Sequence, residues 1–130
     1  MRLMSLIPFL LCAFPAVADP LTGDAFDSYT QGKTLFYDSE GRTYGAEAYL
    51  RNRRVRWSFL DGTCQEGHWY PQGDEICFLY DGSDRPQCWR FDLSERGLNA
   101  VLDDGFGRTE LNEVPPEGRD LICPGPDVGV

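Results

Sequence analysis

Four cysteines follow the first eighteen residues: Cys64, Cys77, Cys88 and Cys123. Such thiols can hold a metal, cycle between redox states or pair as disulfides. Zinc favours close ligand pairs, such as two cysteines separated by two residues, and the chain has no such spacing. A redox dithiol favours the same short spacing near a helix start, whereas these four fall on candidate strands or in a terminal segment. An even number in a small exported chain reads as two disulfides. Four cysteines allow three connectivities. Cys77 and Cys88 flank one turn in "ICFLYDGSDRPQCW" and can face each other across a hairpin. Cys64 then pairs with Cys123 and fastens the C-terminal segment to the sheet.

The remaining polar candidates point away from catalysis. His68 is the only histidine; it sits in "EGHWY" with no cysteine or serine nucleophile beside it. Glu66 shares its strand face, which would make at most a weak metal pair, and a surface histidine is the simpler reading. Asp74–Glu75 and Asp103–Asp104 lie at turns, whereas glycosidase chemistry needs two carboxyl groups across a cleft. The span from Asp81 to Asp92 has the length of a calcium loop. Pro86 replaces its glycine and Arg85 occupies a ligand position, so that reading is rejected. No phosphate loop, dinucleotide fingerprint or nucleophile elbow occurs. The expectation is a non-enzyme with no catalytic residue, no metal and no cofactor.

The aromatic residues are the remaining signal: Trp57, Trp69 and Trp89, with Phe59, Phe78, Phe91, Tyr70 and Tyr80. On barrel strands they can line a ligand cavity or fill a packed core, and core packing is the favoured reading. For a ligand, Trp57, Trp69, Trp89 and Phe78 are the candidate wall. Arg54 and Arg56 join it only if the facing of their strand is reversed. In "RVRWSF", Val55, Trp57 and Phe59 share one face, while Arg54, Arg56 and Ser58 share the other. "RNRRVR" concentrates four cations, which reads as a solvated strand edge or as an anion-binding patch, with the edge favoured.

The elements that must position these residues are legible. "DPLTGDAFDSYTQGKT" reads as one short helix, with Thr22 as N-cap, Asp24 in the first turn and Gly32 at the C-terminal cap. Leu21 and Phe26 occupy the hydrophobic-staple positions, and Phe26 with Tyr29 plugs one end of a core. Period-two patterning then places strands at 34–37, 44–50, 53–60, 66–70, 75–80, 87–93, 98–102 and 109–114. The links "DSEG", "DGT", "PQGD", "DGSDRP", "SERG" and "DDGFG" are turn chemistry. The fold class is mainly β: a short N-terminal helix followed by an antiparallel meander of about eight strands. Closure into a small up-and-down barrel removes exposed edges and is preferred to a sandwich.

The ends and the charge set the context. Residues 1–18, "MRLMSLIPFLLCAFPAVA", read as a signal peptide, with Arg2 before an apolar run and a small-x-small exit. Cys12 follows Leu11 instead of a small residue, which disfavours a lipoprotein. Residues 19–114 form the helix and β-meander domain, and 115–130 a Pro/Gly-rich tail tied down by Cys123. No later apolar run approaches the ~20 residues of a membrane span. Losing Arg2 takes the formal charge from −9 to −10. Such acidity repels nucleic acid and anionic lipid.

Gly67-His68-Trp69, Ile76-Cys77 and Cys88-Trp89, after a short helix and a Gly-Lys-Thr turn, resemble a family of small exported bacterial proteins. That family shows a similar Gly-x-Trp, aliphatic-Cys, Cys-aromatic order. The likeness runs from Thr22 to Leu93 and implies the fold without an activity; Cys64 and the Cys123 tail depart from its pattern. The expectation is a periplasmic or secreted binding protein. Its leading form binds or inhibits a protein, such as a basic envelope protein, through acidic turns. The alternatives are a carrier holding a small apolar ligand in an aromatic interior, and a structural envelope protein.

Overall fold

The structure is a computed structural model and describes residues 10–15 and 19–123. The candidate signal peptide lies mostly outside the described residues, as does the tail beyond Cys123. The helix α1, Gly23–Thr30, begins where Thr22 Oγ1 accepts the Ala25 N–H at 3.2 Å. It ends before Gly32, whose φ of +80° suits glycine. Thr30 Oγ1 donates to the Phe26 carbonyl at 2.8 Å, which lets a hydroxyl sit fully buried.

Eight antiparallel strands follow: β1 Thr34–Ser39, β2 Arg42–Tyr49, β3 Arg54–Ser58, β4 Gln65–Gln72, β5 Glu75–Tyr80, β6 Gln87–Ser94, β7 Gly97–Asp103 and β8 Arg108–Val114. They pair in sequence order, and β8 returns to β1 through Phe36↔Val114, Tyr37↔Glu113 and Asp38↔Asn112. The barrel is closed, so every strand has two neighbours and no edge is left to template aggregation. This corrects the reading of Arg54 and Arg56 as a strand edge. The "RNR" run is also broken: Arg51–Arg53 is a single 3-10 turn, with Asn52 and Arg53 at φ of +56° and +58°. That tight turn redirects the chain from β2 into β3.

Because the strands alternate in direction, the connections sort into two ends. α1 covers the end where β1, β3, β5 and β7 begin. Phe26 enters the barrel axis there and meets Tyr49, Trp69, Phe78 and Phe91, with ring centroids 4.7–6.3 Å apart. Two polar ties hold the plug. Leu21 N–H donates to the Phe91 carbonyl at 2.8 Å, and Tyr29 Oη donates to Glu113 at 2.7 Å. Glu113 also accepts the Leu98 N–H at 3.0 Å, so one carboxylate joins helix and sheet. Burial and that carboxylate push the Tyr29 hydroxyl up to about 12.

Both disulfides lie outside the barrel wall. Cys77 and Cys88 are directly opposed on β5 and β6, and Cys64 is joined to Cys123. The second bond draws the tail across β1–β3. Arg119 there lies 4.7 Å above the Phe36 ring, and its guanidinium donates to Thr43 Oγ1. Phe36 and Ala46 both face outward, opposite each other in register, and both are buried.

Two stability predictions follow from this frame. Phe26→Ala should cost about 3–5 kcal/mol in denaturant unfolding, because a side chain at 0 % exposure leaves a void at the axis. Replacing Cys64 and Cys123 with serine should cost about 4 kcal/mol, and the Cys77 and Cys88 pair about 3, since a longer closed loop restrains the unfolded chain more. Equal losses for the two pairs would show that something besides loop length sets their contributions.

Candidate functional site

The interior is divided along its axis. At the helix end Phe26, Trp69, Ile76, Val55, Leu98 and Ala100 are packed and nearly solvent-free. Toward the other end the packing opens into a cavity of about 190 Å³. Tyr37, Tyr49, Trp57, Phe78, Trp89 and Phe91 line its depth, and Tyr44, Phe59, Gln65 and Gln87 lie nearer the strand ends. A cavity of about 150 Å³ suffices for benzene, so this one accepts a molecule of similar or slightly larger size.

Backbone parity explains the walls. Val55 and Trp57 point inward, and Phe59 continues that face half-exposed. Gly45 on β2 also points inward, where a Cβ would collide with the Trp57 ring. The missing side chain gives the indole its place. Tyr44, Trp57 and Phe59 then form an edge-packed trio with centroids 5.3–5.8 Å apart. Gly67 has a related role on β4, where a Cβ would strike the Leu79 carbonyl.

One polar group is set deep in this wall. Glu47 lies directly across from Trp57 in register and is 2 % exposed. Tyr80 Oη donates to its Oε1 at 3.1 Å, and the Tyr37 and Tyr49 hydroxyls share a 2.8 Å hydrogen bond nearby. Among the described residues no salt bridge reaches Glu47. Burial therefore pushes its carboxyl well above the ordinary range, and the Tyr80 bond offsets only part of that. Burial likewise raises the hydroxyls of Tyr37, Tyr49 and Tyr80. The cavity thus sets a carboxyl with a raised pKa among phenols that burial also raises.

The residues singled out from sequence separate into two groups. Trp57, Trp89 and Phe78 line the cavity. Trp69 belongs to the packed end, with the Arg53 guanidinium 4.6 Å above its ring. Arg54 and Arg56 point away from the cavity and pair across the outer wall, with Asp81 at 2.9 Å and Glu66 at 2.7 Å. The Arg54 bond holds the Asp81 carboxyl below its usual range. His68 lies on the same outer face, and Glu66, its candidate metal partner, is engaged by Arg56. Asp103 and Asp104 spend their carboxylates on their own turn, accepting the N–H groups of Gly105, Phe106 and Gly107.

Glu47 escaped the sequence reading. Its signal is an inverted alternation in "GAEAY": Ala46 and Ala48 face outward while Glu47 faces inward with Gly45 and Tyr49. Ordinary patterning would place the alanines inside. No family model, curated protein or solved structure matches the chain.

A raised carboxyl gives a signed pH dependence. Its stabilising contribution is complete below the unfolded value near 4.5 and is lost as pH rises through the folded value. Glu47→Gln keeps the shape and an acceptor for Tyr80 without that loss. The variant should match the wild type in thermal midpoint at pH 4 and exceed it at pH 8. A gain of about 1 kcal/mol would appear as a shift of about 4 °C. An unchanged difference across that range would mean that Glu47 is hydrated and titrates normally.

Proposed function

We propose that the protein is a non-enzymatic carrier or sensor that holds a small molecule in the open half of its barrel, outside the cytoplasm. The observation that carries this reading is the cavity itself: it is concave, walled by aromatic rings and set with one carboxyl and a few hydroxyls. This is the general form of a small-ligand site. Two disulfides suit an oxidising compartment. Among the described residues no helix is long and apolar enough to cross a membrane. The reading of an inhibitor that binds through acidic turns rests on charge alone, whereas the carrier has a built interior.

Tryptophan emission gives a direct test. Trp57 and Trp89 touch the cavity and Trp69 does not, so a bound molecule should change emission in the wild type and in Trp69→Phe. The response should shrink in Trp57→Phe and in Trp89→Phe. Gly45→Ala, which forces the Trp57 ring to move, should weaken binding by about tenfold or more, as overpacking of 1–3 kcal/mol would. Constant emission across a broad panel of molecules with up to about ten non-hydrogen atoms would rule out the carrier.

A further inference from the structure

The rim of the open end is acidic. Its four connections, residues 40–41, 59–64, 81–86 and 104–107, carry Glu40, Asp61, Asp81, Asp84 and Asp104 against Arg85, with Arg42 and Arg108 at the adjoining strand starts. At the helix end Lys33, Arg51, Arg53 and Arg96 are balanced by Asp74, Glu95 and the α1 residues Asp24 and Asp27. A cation approaching along the axis is therefore drawn toward the mouth, and an anion is turned away. Inside, Glu47 supplies the one carboxyl that lines the cavity. Trp57 and Trp89 line the same cavity, and tryptophan is the ring type that best accommodates a positive charge. Arg54 and Arg56, the cations on the strand opposite Glu47, point outward and are engaged elsewhere.

We infer that the cavity takes a small organic cation, a primary or secondary amine on an apolar ring or stem of up to about ten non-hydrogen atoms, with its ammonium against Glu47. This rests on the carrier reading and adds the chemistry of the ligand to it. The ammonium donates to the carboxylate, the Tyr80 hydroxyl keeps its bond to the same carboxyl, and the apolar part of the ligand lies between the indoles. A buried carboxyl with one phenol as its partner discriminates strongly, because an amine supplies a further, charged donor and a hydrocarbon supplies none.

The proton balance is part of the inference. Burial at 2 % exposure with no cationic side chain beside it favours the protonated form of Glu47. The groups acting on its surroundings are Tyr37 on β1, Tyr49 on β2 and Tyr80 on β5, all held neutral. Tyr29 on α1 and Glu113 on β8 act on the same Tyr37 hydroxyl. Entry of an ammonium therefore releases one proton from Glu47 to solvent, while the ligand keeps its own. Affinity for the amine rises with pH through the Glu47 titration, until the amine itself loses its proton.

Three probes of one shape test this by calorimetry on the full disulfide-bonded chain: phenethylamine, propylbenzene and phenylacetate. The wild type should bind phenethylamine at least about tenfold more tightly than propylbenzene, the margin expected of one charged hydrogen bond. Phenylacetate should bind least. Heats measured in two buffers of different ionisation enthalpy should show about one proton released on amine binding. Glu47→Gln should erase both the amine preference and the proton release while still binding propylbenzene. Equal or tighter binding of propylbenzene would overturn the amine inference and leave the carrier intact. Preference for phenylacetate would overturn it as well, with Glu47 acting as a neutral donor. Oligolysine binding without phenethylamine binding would overturn it in favour of a basic protein partner. If no probe binds, the amine inference fails, and the tryptophan-emission panel decides the carrier reading separately.

Discussion

Closing eight strands on themselves fixes how much can lie on the axis. A barrel of this strand number has an interior just wide enough for its own side chains or for one small ligand. The β1–β8 pairing imposes that limit, and every interior residue must satisfy it. Phe26, delivered by α1, fills the axis at one end and makes aromatic contacts on β2, β4, β5 and β6. Among the described residues nothing equivalent enters from the other side. Glycine at Gly45 and carboxyl at Glu47 leave less bulk there than the packed half contains, and the cavity is the remainder.

The outer shell compensates for an interior that is only partly filled. Closure alone leaves Phe36 and Ala46 facing outward, where they would be exposed apolar surface. The tail covers Phe36 through Arg119, and the Cys64–Cys123 bond keeps the tail in place. Outward arginines on β3 are matched to acids on β4 and in the β5–β6 turn instead of forming a positive patch. Such exposed pairs contribute little stability. Their consequence is electrostatic: the strand crossing Glu47 presents no free positive charge toward the cavity. The wall is neutral, and the acidic mouth is left to set the local field.

Most of the fold was legible because it is governed by local rules. All eight strands fall where period-two runs sit between turn residues, and the helix begins at Thr22 and plugs the core through Phe26 as its caps and spacing indicate. The disulfides follow from the hairpin that opposes Cys77 to Cys88, which leaves one pairing for the other two cysteines. The 3-10 turn at Arg51–Arg53 was not legible, since Asn52 and Arg53 take left-handed backbone that non-glycine residues seldom adopt. The site was half legible. Trp57, Trp89 and Phe78 carry an aromatic signal that any reading finds, but the facing of β2 runs against its own pattern. Ala46 and Ala48 turn outward and Glu47 inward, which the pairing with β1 and β3 fixes and the segment alone does not show.

Glu47 is where stability and the proposed function pull apart. A carboxyl at 2 % exposure, with one phenol as its partner, contributes less to folding than a hydrocarbon of the same volume would. Burial favours its protonated form, which lowers the charge-burial cost but leaves acceptor capacity unused. A cation supplies the missing donor and makes the charged form the favoured one, so the free energy withheld in the empty state becomes available on binding. The tyrosines around it set the scale of this exchange. Raised well above their ordinary values, they cannot take up the role of counter-charge, and they cannot supply a second negative group that would hold a metal ion. A lone carboxyl among neutral phenols and indoles therefore discriminates by charge and by size at once. The acid selects for an ammonium, and the closed wall limits what the ammonium can be attached to.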